Sequence, residues 1–210
     1  TPCGSIFFKK KNNIVSLSNN LIYGIILISF ITLVINFFLP LNALINTLVL
    51  ILPISIILKN LKTYFSLNFL KFLIFNSIII FLLVAKSNVY RPDAMLYHLP
   101  YTGILNNEKI IFGLSNLHFR FAHISIIQYF ASFFNNFLFN IQGIVISLAI
   151  ISSAVIVNFL TQLFFYLKNK NFNFHFFFLF FILIFIAYKM NRYSEYGNDA
   201  PTHFLFFFLI

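Results

Sequence analysis

The four carboxylates of this 210-residue chain fall in two stretches, Asp93 and Glu108 in one, Glu195 and Asp199 in the other. Around them gather the other side chains able to move a proton or grip a phosphate. The first stretch reads Tyr90-Arg91-Pro92-Asp93-Ala94-Met95-Leu96-Tyr97-His98-Leu99-Pro100 and continues through Gly113-Leu114-Ser115-Asn116-Leu117-His118-Phe119-Arg120-Phe121. The second reads Arg192-Tyr193-Ser194-Glu195-Tyr196-Gly197-Asn198-Asp199-Ala200-Pro201-Thr202-His203. A carboxylate beside Arg, His, Tyr and Asn at the mouth of a helix is a set suited to taking a proton from a hydroxyl and to holding a phosphate.

The elements that must position these groups are apolar. With 60% hydrophobic and 9% charged residues, the chain contains runs from Leu21 to Leu39, Leu41 to Leu58, Phe69 to Ala85, Ile141 to Leu167 and Phe174 to Tyr188, and a sixth from Thr202. Each approaches or exceeds the roughly 20 residues that cross a hydrocarbon core, apart from the last, which reaches the final residue, Ile210. A carboxylate at mid-bilayer costs about 2.5–3.5 kcal/mol on insertion scales, so the four acids belong in water-facing positions. The expected fold class is all-α: a polytopic transmembrane helix bundle of about six spans, forming one domain over residues 1–210. Thr1 in place of an initiator Met, and an apolar run still open at Ile210, lead us to expect a piece of a longer protein. The triplet Lys9-Lys10-Lys11 followed by a long apolar run without a small-residue cleavage site reads as a membrane anchor, not a removable signal. Cys3 stands alone and supports no disulfide. The 33 Phe and absent Trp look like the bias of an AT-rich genome, and Phe density by itself marks no aromatic site.

Lysine placement sets the expected orientation. Lys9, Lys10, Lys11, Lys59, Lys62, Lys71, Lys168 and Lys170 flank connections that alternate to one side of the bundle, which the positive-inside rule makes cytoplasmic. The opposite side receives Lys86, Lys109, Lys189, three arginines and all four acids. Residues 86–138 then form a first large outer loop and residues 189–202 a second, acidic one. Function is sought in these loops. Within the first, Asp93 is expected to cap a helix over Ala94 to His98, with Pro100 stopping or kinking it. From Ile124 to Phe137 apolar residues recur at helical spacing, with Ser125, Gln128, Ser132, Asn135 and Asn136 on the other face. That pattern fits an interfacial helix with its polar stripe towards water or protein, or else the start of a long fourth span.

The chain resembles the GT-C superfamily of integral-membrane glycosyltransferases, which take polyprenyl-phosphate sugars as donors. The strings D-x3-YHLP, GLxNLHxRF and SEYGNDAP carry the likeness, over about residues 72–210, to a bacterial multi-pass branch allied to that superfamily. The resemblance implies an enzyme of the inner (plasma) membrane whose working loops face the outside or periplasm. It implies a lipid-linked sugar donor and a glycan, lipid or protein acceptor. Asp93 matches the catalytic carboxylate, which acts as base on the acceptor hydroxyl. Glu195 and Asp199 match a later acidic loop that binds metal, donor or acceptor in relatives. Arg91, Tyr97, His98, His118, Arg120, Arg192 and Asn198 are the expected substrate-binding residues. Ala94 follows Asp93 where many relatives have a second acid, so no metal ligand is assigned and a divalent cation is left open.

Other readings stand beside this one. Asp93 as a cap without chemistry, the arginines as interfacial cations that keep their heads in water, and His98, His118 and His123 as hydrogen-bonding side chains are the plain alternatives. A transporter would carry ionisable groups at mid-membrane, whereas these spans hold mainly Asn, Ser, Thr and Gln. A polysaccharide polymerase or ligase, or a non-catalytic assembly protein, remains as the alternative function, and no nucleic-acid partner is expected.

Overall fold

A computed structural model of the protein describes residues 14–59, 67–86, 92–122, 125–190 and 196–210. Every regular element among the described residues is helical. In chain order these are α1 (Ile14–Asn36), α2 (Ala43–Lys59), α3 (Leu67–Ala85), a π-helical turn (Ala94–His98) running into α4 (Leu99–Asn107), α5 (Ile126–Phe133), α6 (Ile144–Lys168), α7 (Phe174–Tyr188) and α8 (Asp199–Leu209). Short 3-10 turns at Leu114–Asn116, Phe119–Ala122 and Asn140–Gly143 connect them. Among the described residues three helices are long and apolar enough to cross a membrane, Ile14–Asn36, Leu67–Ala85 and Asn140–Lys168, while Ala43–Ser55 and Phe174–Tyr188 are apolar but shorter.

The bundle is built around α6. Its buried residues run almost without a gap from Ile144 to Phe159, and the small side chains Ser147, Ala149, Ser152, Ser153 and Ala154 let neighbouring backbones come close. Helix α1 buries Ser18, Ile22, Ile25, Ser29, Thr32 and Asn36, alternating steps of four and three that keep one stripe on one face, and Ser18, Ile22 and Ile25 of that stripe meet α6. The hydroxyls in that stripe are satisfied within the helix: Ser29 donates to the Ile25 carbonyl at 2.7 Å and Thr32 to the Ile28 carbonyl at 2.9 Å. Helix α3 buries only Phe72, Asn76 and Leu83. Its other faces expose Leu70, Ile74, Ile78, Phe81 and Leu82, as suits a helix surrounded by lipid.

Two asparagines fasten the segment between α3 and α6 to the first two helices. At the end of α1, the Asn36 side-chain amide donates to the Glu108 carbonyl at 3.0 Å, and the Asn36 backbone carbonyl accepts from the Ile110 amide at 2.9 Å. In α2 the fully buried Asn46 amide nitrogen faces the carbonyls of Leu41 (2.6 Å), Ser132 (2.9 Å) and Asn135 (2.8 Å). The last two lie at and just beyond the C-terminal end of α5, where helix carbonyls run short of intrahelical partners. Asn46→Leu keeps a similar volume but removes this donor from all three carbonyls. It is expected to cost about 1–3 kcal/mol, read as an earlier midpoint on SDS titration in mixed micelles. An unchanged midpoint would show that they find other partners.

Helix α5 is a separate element and not the first turns of α6. Asn136 ends it: its side chain accepts from the backbone of Leu138 at 3.0 Å and of Phe139 at 3.2 Å, the local turn that asparagine offers in place of helix. Asn140 then takes a positive φ of 53°, a conformation Asn tolerates better than most residues. The polar stripe of α5 faces protein. Gln128, Ser132 and Asn136 are buried, and Ser132 donates to Asn106 of α4 at 2.5 Å.

Candidate functional site

Asp93 does not cap the helix that follows it. It lies in helical conformation itself (φ −64°, ψ −37°) and makes no capping hydrogen bond. Its carboxylate instead accepts from the Arg120 guanidinium, Nη1 to Oδ1 at 2.6 Å, across 27 residues of chain. Both partners face solvent, with 62% of the Asp93 side chain and 37% of the Arg120 side chain accessible. The guanidinium also lies over the Tyr97 ring at 4.8 Å and near the Phe119 ring at 5.7 Å, within the range of cation–π attraction.

Pro100 explains the turn between Asp93 and α4. It neither stops nor breaks the helix, because the preceding turn widens: the Leu99 amide bonds the Ala94 carbonyl, five residues back. In a continuous α-helix the proline ring would collide with the carbonyl four residues earlier. The π turn relieves that collision, and such turns recur at working sites. It also brings the Tyr97 and His98 rings to 4.1 Å of each other, with Tyr97 half-buried towards Arg120 and His98 buried.

His98 is where the two stretches meet. Its Nδ1 lies 3.5 Å from Gln128 Nε2 of α5, and the Tyr196 ring stands edge-on to it at 6.4 Å. A Cβ placed on Gly197 would come within 3.3 Å of His98 Nε2, so the second stretch lies directly against the imidazole. Thr102, which donates to the His98 carbonyl at 2.9 Å, reaches the Tyr196 hydroxyl at 3.5 Å. Beneath these contacts Ala94, Ala131, Ile144 and Tyr196 form one apolar cluster drawn from the π turn, α5, α6 and the second stretch. Asp199, exposed, opens α8, where a negative charge suits the helix N-terminus. Asn198 precedes it without a side-chain cap bond, and its carbonyl accepts from Thr202 at 2.7 Å.

Burial dominates the electrostatics of His98 and lowers its pKa below 6.5, while Asp199 and Asp93 act in the opposite sense. The imidazole is therefore neutral at pH 7. An unfolded chain binds its proton near pH 6.5 and the folded one only at lower pH, so His98 contributes stability that is complete above about 6.5 and is lost as pH falls through its folded value. Thermal unfolding of wild type is expected to shift downwards from pH 7 to pH 5 by more than that of His98→Asn. Parallel curves for the two proteins would contradict this. Tyr196, buried in the same cluster, has its phenol pushed up to about 12, desolvation being the main cause, and stays protonated.

The other expected residues are arranged less tightly. His118 stacks on Phe119 at 5.1 Å and accepts the Arg120 backbone amide on Nδ1 at 3.3 Å, a role that shapes the turn carrying Arg120. Arg91, Arg192 and Glu195, and likewise His123, lie outside the described residues. Among the described residues no three His, Cys, Asp or Glu side chains are grouped to hold a metal ion. Gln128, Thr102, Tyr196 and Gly197 were missed by the motif reading. Gln128 had been assigned to a polar helix stripe, and the other three sit inside or beside the quoted strings without chemistry of their own. Beside the Arg120 turn, Leu33, Phe37, Ile111, Phe112, Phe121 and Tyr129 line part of an apolar groove of about 320 Å³.

No curated protein and no solved structure matches this chain. One family does, over residues 3–210. The chain therefore belongs to the family described as domain of unknown function DUF8201.

Proposed function

We propose that the protein is a membrane glycosyltransferase of GT-C type, moving a sugar from a polyprenyl-phosphate donor to an acceptor at the outer face of a bacterial inner membrane. In this reading α1, α2, α3, α6, α7 and α8 all cross the bilayer, and the segment between α3 and α6 lies along its outer surface. The observation that carries the proposal is geometric: the Asp93–Arg120 pair stands beside the turn that carries Tyr97 and His98, and the second stretch lies against the same buried His98 through Tyr196 and Gly197. A carboxylate and a cation kept beside a buried histidine are unusual in a chain so poor in charge, and such arrangements are concentrated at working sites.

The chemistry follows from the groups. Asp93 takes the proton of the acceptor hydroxyl as its oxygen attacks the anomeric carbon. The bond from that carbon to the phosphate oxygen breaks, and the departing polyprenyl phosphate is held by Arg120, joined by Arg91 and Arg192. Asp199 serves the acceptor side, a role the family resemblance extends to Glu195, Asn198 and Tyr97 orient hydroxyls, and neutral His98 holds the two stretches in register.

The test is transfer of radiolabelled hexose from a polyprenyl-phosphate hexose in proteoliposomes, with single cysteines at Asn107 and Met190 labelled by an impermeant reagent in intact cells. Protein-dependent release of polyprenyl phosphate and labelling of both cysteines are expected. Release no faster than from empty liposomes, or both sites protected, would sink the reading.

A further inference from the structure

The Asp93–Arg120 pair presents a conflict that the proposed reaction must resolve. A carboxylate that accepts a hydrogen bond from a guanidinium at 2.6 Å has that oxygen occupied, and a guanidinium so engaged offers fewer donors to a phosphate. The pair thus occupies one carboxylate oxygen and part of the guanidinium fork. Yet both sit on the surface, where an ion pair is worth little and exchanges readily. The Tyr97 and Phe119 rings beside the guanidinium do not depend on Asp93, so they can hold the arginine head near the same place when its anionic partner changes.

We infer that Asp93 guards Arg120, and that the phosphate of a lipid-linked ligand opens the pair by replacing the carboxylate on the guanidinium, which frees Asp93 only once the ligand is seated. A phosphate monoester carries more charge than a carboxylate and a phosphodiester as much, and either matches the two-pronged guanidinium, so both compete for the same donors. The consequence is an ordered site: without ligand one oxygen of the base is engaged by the guanidinium, and with ligand it is released next to the leaving group. The ligand class is an organic phosphate. His118 supports the exchange from behind, since its bond to the Arg120 backbone fixes the turn while the side chain changes partner. This inference rests on the phosphate role given to Arg120 in the proposed function, but it does not require that a sugar be transferred.

The experiment measures binding of ³²P-labelled farnesyl phosphate, which has no sugar to transfer, to the purified protein in neutral detergent. Asp93→Asn removes the guard and is expected to bind the probe about two- to five-fold more tightly than wild type, the range set by an exposed ion pair. Arg120→Ala is expected to bind at least about tenfold more weakly. The double variant Asp93→Asn/Arg120→Ala should match Arg120→Ala, because the guard has nothing left to cover. Asp93→Ser provides a second neutral side chain should Asp93→Asn fold poorly. Tighter binding by the neutral variants that disappears without Arg120 supports the guard, whether or not the protein transfers sugar. Unchanged or weaker binding by well-folded neutral variants overturns it, even if sugar transfer is later demonstrated. Farnesol serves as the uncharged control: equal gains for farnesol and farnesyl phosphate would place the effect on the apolar groove and also overturn the guard.

Discussion

Asp93→Asn is expected to lower sugar transfer by about 100- to 10,000-fold, the usual contribution of a general base, while leaving the fold in place. The substitution removes a charge from an exposed position that makes no helix cap. The lost ion pair with Arg120 is worth at most about 1 kcal/mol. What remains is a protein that binds a lipid phosphate at least as well as wild type and turns it over far more slowly. That combination is the informative one. A merely misfolded variant loses both binding and turnover, and a variant lacking only a phosphate contact loses binding first. Asp93→Asn that transfers sugar at the wild-type rate, beside an inactive Arg120→Ala, would remove Asp93 from the chemistry and favour a polymerase or ligase reading built on the arginines.

The helical class could be read from composition, because a chain this apolar has few ways to satisfy its backbone other than helix. The positions of the helices follow the apolar runs closely, from α1 near Leu21–Leu39 to α7 at Phe174–Tyr188. The arrangement of the segment between α3 and α6 was less legible. Its polar stripe on α5 is the same on paper whether it meets water or protein. Asn106 from α4 and His98 from the π turn, which meet Ser132 and Gln128 of the stripe, decide for protein.

The site shows the same limit. Motif reading picked out Asp93, His98, Arg120 and Asp199, yet it made Asp93 a cap because an Asp after a Pro before a helix usually is one. The 2.6 Å bond to Arg120 competes for that side chain and wins, and a partner 27 residues away leaves no trace in local spacing. Pro100 likewise reads as a stop or a kink, since the π turn that accommodates it has no sequence signature. Gly197 and Tyr196 were invisible for a different reason: one acts by lacking a side chain against His98, the other by filling the space beneath it.

The largest structural effect is expected from Gly143→Ala, which alters no charged group. A Cβ at Gly143 would lie 2.3 Å from the Phe134 carbonyl oxygen and 2.5 Å from the Phe139 Cβ, so the backbone at the α5–α6 junction must move. Overpacking costs typically about 1–3 kcal/mol, and a clash with a backbone atom, which has no rotamer to escape into, belongs at the upper end. The movement has a direct path to the site. Phe134 follows α5, which carries Ala131 and Gln128, while the adjoining Ile144 packs with Ala131, Ala94 and Tyr196 in the cluster under His98. Pushing α5 away from α6 therefore loosens the seat of the imidazole and the contact between the two stretches. Gly143→Ala should unfold at lower SDS fraction than Gly103→Ala, where a Cβ meets nothing within 4 Å, and should lose transfer activity although every charged residue is retained. Equal stability of the two variants would mean that the junction is looser than its contacts indicate, and the link from helix packing to the site would then fail.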